Sequence, residues 1–90
     1  MGRTNATYRN HLDNFIEKFQ PFRKGLRKEN KEYLDQLWEK AHGYAAAAAY
    51  MNSTKPGVPA MVSIMVGLQS DISQLSDRLE NLEDRVEEME

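Results

Sequence analysis

From Met61 to Met89 the large apolar residues fall at Met61, Met65, Leu68, Ile72, Leu75, Leu79, Leu82, Val86 and Met89. Steps of four and three alternate along this run without an exception. A 3.5-residue repeat held over four heptads predicts one long helix. It keeps a single seam against another helix by supercoiling to the left. Met65, Ile72, Leu79 and Val86 occupy position a, and Met61, Leu68, Leu75, Leu82 and Met89 occupy position d. Leucine at d with β-branched Ile72 and Val86 at a favours two parallel strands. In a parallel, in-register pair, Arg78 faces Glu83 of the other copy and Arg85 faces Glu90, both attractive. No polar residue sits at a or d to fix register. A trimer, a tetramer or an antiparallel pair therefore stays open beside the parallel dimer.

The apolar pattern widens toward the start of this helix, where Val62, Ile64 and Val66 lie off the seam. A helix apolar on several sides must be covered on several sides. Residues 58–68 are therefore expected to pack against both the partner and the chain's own first two helices. Beyond Leu68 the flanks turn polar, which predicts a stalk standing clear of the rest.

Upstream, Tyr8, Leu12, Phe15, Ile16 and Phe19 mark one face of a helix over about 5–20, with Thr4 or Asn5 as N-cap. Pro21 interrupts it and suits the first turn of a second piece over about 21–28. A further helix is expected over about 30–51, opened by Asn30 and carrying Tyr33, Leu34, Leu37, Trp38, Ala41, Tyr44, Ala45 and Ala48 on its apolar face. The alanine run 45–49 favours helix and lets a neighbour approach closely. Residues 52–57, rich in Asn, Ser, Thr, Pro and Gly, read as the loop before the long helix. The expected architecture is all-α. An N-terminal helical hairpin or bundle over residues 1–57 leads into a long helix over 58–90, which forms a parallel coiled-coil dimer.

Ninety residues without a cysteine cannot be stapled by disulfides or thiolate metal sites, so oligomerisation is the remaining source of extra stability. The polar N-terminus lacks the apolar stretch of a secretory signal, and the apolar run 58–68 is too short to cross a bilayer. The expectation is a soluble, cytoplasmic protein without membrane contact. The net charge of −2 conceals an asymmetry: residues 1–55 carry ten Lys/Arg and six Asp/Glu, residues 56–90 two and eight. The chain is electrically polar along its length.

Chemistry-bearing patterns are sparse. His11 and His42 stand on different helices, outside any metal-ligand spacing, and no phosphate loop or nucleophile motif occurs. The expectation is a protein that is not an enzyme and takes no cofactor or metal. One segment invites another reading: Arg23, Lys24, Arg27, Lys28 and Lys31. If it were helical, Arg23, Arg27 and Lys31 would form a stripe suited to phosphates, and a dimer would carry two. Glu29, Glu32 and the acidic overall charge weigh against nucleic-acid binding. Trp38, Tyr33, Phe15, Phe19 and Phe22 would line any small-molecule pocket of a regulatory protein. They are read more simply as core.

Met1-Gly2-Arg3-Thr4-Asn5, followed by Thr7-Tyr8-Arg9, resembles the opening of a family of small uncharacterised archaeal proteins. Gln20-Pro21-Phe22-Arg23-Lys24, the alanine-rich helix ending in Tyr50-Met51-Asn52 and the C-terminal heptad extend the resemblance over nearly the whole chain. It implies an archaeal, cytoplasmic origin and transfers no functional residue. The function expected from the sequence is an oligomerisation or protein-interaction module, its first partner being a copy of itself and a further protein partner possible. Nucleic-acid association through the basic segment is the alternative.

Overall fold

A computed structural model describes residues 2–52 and 55–90, with side chains from residue 7 onward. Ser53 and Thr54, within the expected loop, lie outside the described residues. The elements are α1 (Gly2–Glu17), α2 (Gln20–Gly25), α3 (Lys28–Gly43), α4 (Ala45–Ala49) and α5 (Gly57–Met89). No strand occurs among the described residues. The fold is all-α, with the long C-terminal helix packed on shorter ones.

The boundaries follow local chemistry. α1 ends at Glu17 and α2 opens at Gln20 with Pro21 in its first turn, because proline fits there and nowhere deeper in a helix. The basic segment is not one helix. α2 stops at Gly25, Leu26 and Arg27 are extended, and α3 begins at Lys28. The helix expected to open at Asn30 thus starts earlier, with Arg27 as N-cap and no side-chain capping bond. It also breaks at Tyr44, just after Gly43, the poorest helix former short of proline. Thr4 and Asn5, read as caps, fall inside α1. After α4, Asn52 takes a left-handed backbone (φ 49°), a conformation asparagine tolerates at a helix end.

The core is small and built of small residues. Tyr8 and Leu12 of α1 meet Ala41 of α3, Ala45, Ala48 and Ala49 of α4, and Ala60 of α5. Phe15, Ile16 and Ile64 close its edge. Leu12 is the one large side chain fully withdrawn from solvent among the described residues. The aromatic residues read as core are not its centre. Tyr33 is exposed, Phe22 is 55% exposed, and Phe15, Phe19 and Trp38 are half-buried. Their rings still pack on one another, with Phe15–Phe19 centroids 5.1 Å apart and Phe19–Trp38 5.5 Å. Rings therefore fill the ground beside Trp38 where a pocket was considered.

Candidate functional site

α5 spans 33 residues, about 50 Å at 1.5 Å per residue, which accounts for most of the molecule's 56 Å length. Its first part has two faces of opposite character. The face turned to the other helices presents Pro59, Ala60, Ser63 and Gly67, all buried, with Ile64 beside them. These short side chains let α3 and α4 lie close. The buried Ser63 hydroxyl donates to the Pro59 carbonyl at 2.7 Å, so no polar group is stranded by that approach.

Gly67 has a specific task. A Cβ there would stand 2.9 Å from Lys40 Cδ and 3.0 Å from Cγ. The missing side chain leaves a channel for the Lys40 stem, whose Nζ reaches Asp71 Oδ2 at 2.7 Å, one turn further along α5. This clasp holds α5 to α3. From Asp71 to Glu90 every residue is exposed, so the stalk stands clear.

The opposite face of α5 is the heptad seam. Met61, Met65, Leu68, Ile72, Leu75, Leu79, Leu82, Val86 and Met89 are all exposed, from 39% at Leu68 to 87% at Met89. Val58 (68%), Val62 and Val66 (48% each) widen the strip at its base. Residues 58–68 do pack on the chain's own helices, as expected, but through Pro59, Ala60, Ser63, Ile64 and Gly67 and not through Val62 or Val66. Of Val62, Ile64 and Val66, only Ile64 turns inward, because the inward ground is held by alanine, serine and glycine. Arg78 and Arg85 make no ion pair among the described residues, which leaves both available to another chain.

The basic segment is distributed differently from a stripe. Arg23 donates from Nε and Nη2 to the two carboxylate oxygens of Asp35, at 3.0 and 2.9 Å. This forked pair, made of two parallel charge-assisted hydrogen bonds, occupies the guanidinium. It holds the Asp35 carboxyl below the usual range, chiefly by hydrogen bonding, with desolvation opposing and the charge of Arg23 adding a smaller part. Arg23 is correspondingly raised by the same bonds. Lys24, Arg27 and Lys28 are exposed, Lys31 is half-buried, and none has an ion-pair partner among the described residues.

Sequence reasoning left His42 without a partner; its Nε2 lies 3.3 Å from Asp13 Oδ1, linking α3 to α1. His11 makes no ion pair among the described residues. No group of three His, Asp or Glu able to hold a metal occurs among the described residues, and no described helix is long and apolar enough to cross a membrane. Tyr8 is nearly fully buried, and its hydroxyl finds no hydrogen-bond partner among the described residues; burial raises its pKa above the ordinary tyrosine value.

Sequence reasoning missed the Lys40–Gly67–Asp71 clasp. A signal was present, since Ala60, Ser63 and Gly67 recur at steps of three and four on one helix face. The Arg23–Asp35 pair, twelve residues apart across a helix break, had none.

The fold and this surface define a class: a small all-α protein whose long helix presents an uncovered heptad face. The chain belongs to the family described as a domain of unknown function (DUF8156), whose model matches residues 1–90. No curated protein and no solved structure matches it.

Proposed function

We propose that this chain is a non-enzymatic assembly module that pairs with a second copy through the seam of α5. The observation carrying the reading is the uninterrupted exposure of nine heptad side chains, where among the described residues a single large side chain is fully buried. Covering the exposed half of a leucine-sized side chain contributes roughly 1 kcal/mol, so eighteen from two chains give on the order of 15–20 kcal/mol. Association costs roughly 4–15 kcal/mol before side chains are ordered, so the seam offers a driving force of the size that pairing needs.

A parallel arrangement fits best. It sets the wide apolar base of one α5 against the wide base of the other, and places Arg78 and Arg85 opposite Glu83 and Glu90. The antiparallel alternative would lay the base, with Val62 and Val66, along the acidic end of the partner. The family resemblance of the opening motif supports an archaeal, cytoplasmic setting.

Sedimentation equilibrium tests the reading. The wild-type chain should run as a dimer at micromolar concentration, and Leu75→Asp with Leu79→Asp should give monomer, because each substitution puts a charge into a dry seam. A wild-type monomer would overturn it.

A further inference from the structure

We propose that the basic corner between α2 and α3 is a docking surface for the acidic stalk of another copy of this chain, so that pairs associate further, head to tail. This goes beyond pairing through the seam and uses no seam residue.

The corner is charged and unsatisfied. Asp35 occupies Arg23 alone, leaving Lys24, Arg27, Lys28 and Lys31 without ion-pair partners among the described residues. The positive end of the α3 dipole lies at the same place, with one acidic residue, Glu29, in its first turn and no side-chain cap. Helix dipole and cations therefore add instead of offsetting one another.

The stalk is the complement. Residues 76–90 hold seven Asp/Glu against two Arg. The last turn of α5 carries no basic residue, so negative side chains crowd the negative end of its dipole. The two surfaces do not meet within one chain. The last α5 residue held by the bundle is Asp71, and everything beyond it is exposed. Their complementarity can be satisfied only between molecules.

A second copy fits the corner better than a nucleic acid does. Every chain that carries the corner also carries one stalk, so the complementary surface is present at the same concentration as the corner. Each head-to-tail contact leaves another corner and another stalk free, so assembly grows with concentration. It must also weaken with salt, since screening shortens the reach of charge from about 30 Å at 0.01 M to about 3 Å at 1 M.

Sedimentation velocity on the full chain, at about 0.01 M and about 0.5 M salt, reads the outcome. Species larger than the seam-paired form are expected at low salt and should disappear at high salt. Reversing the corner (Lys24→Glu, Arg27→Glu, Lys28→Glu) should abolish them, as should reversing the stalk (Asp84→Lys, Glu87→Lys, Glu88→Lys). Mixing the two reversed chains should restore them. All six positions are exposed, and far-UV circular dichroism of each variant confirms that helicity is kept. A salt-independent species distribution, large species that survive either reversal, or no restoration in the mixture would overturn the proposal. So would a mixed-sequence oligonucleotide that shifts the wild-type chain but not the corner variant, in the absence of self-association. The seam is read separately, because mass at high salt reports pairing whichever way the corner test falls.

Discussion

Gly67 shows how one missing side chain positions a functional surface. It admits the Lys40 stem, and the stem delivers an ammonium to Asp71. Gly67→Ala should crowd Lys40 from Cβ to Cδ and push α5 away from α3. Alanine favours helix over glycine by about 1 kcal/mol, but overpacking costs about 1–3 kcal/mol, so a net loss is expected. Urea unfolding checks this, and combining the change with Lys40→Ala should recover most of the loss, because the two sites share one contact. Arg23–Asp35 carries a pH signature. The Asp35 pKa is lowered in the folded chain, so its contribution is present above the ordinary carboxylate range and is lost as pH falls through the lowered value. Asp35→Asn should therefore be less stable than wild type at neutral pH, by a small margin for so exposed a pair, and the gap should close in strong acid. A gap unchanged by acid, followed by thermal unfolding across pH, would contradict this.

At the scale of elements, α5 is one helix with two tasks. Its small residues, with Ile64, bind the bundle, and its other large residues face outward. The large-residue heptad was legible in the sequence, because a strict 4–3 alternation has no competing explanation. The inward face was not, since Ala60, Ser63 and Gly67 carry little hydrophobic signal and their value lies in shape. The same blindness displaced the core. Aromatic side chains were read as its centre, whereas Leu12, Tyr8 and five alanines form it. The basic stripe is conditional on one helix running from Arg23 to Lys31, and the extended backbone at Leu26 and Arg27 divides that segment between α2 and α3. The stalk beyond Asp71 is exposed along its whole length among the described residues. Without tertiary packing a helix of this length is marginal in water. Leu75→Asp with Leu79→Asp should thus lower helicity as well as mass, and circular dichroism at 222 nm should show it. In the wild type, helicity should fall on dilution into the range where the pair dissociates.

The whole molecule is a small bundle at one end of an extended helix, and the nine heptad side chains along that helix are all exposed, a contiguous apolar strip of the kind that marks interaction sites. Orientation of the pair is open to a direct check, because the chain has no cysteine of its own. In a parallel pair Leu82 lies opposite Leu82 of the partner, so Leu82→Cys should cross-link quickly under mild oxidation. In an antiparallel pair it would lie opposite Met65 and stay reduced. Mass in solution decides whether two chains pair. Sedimentation equilibrium at micromolar concentration and about 0.5 M salt, where charge contacts are screened to a few ångströms, should give twice the 10.4 kDa of one chain. A mass of 10.4 kDa under those conditions would contradict the account.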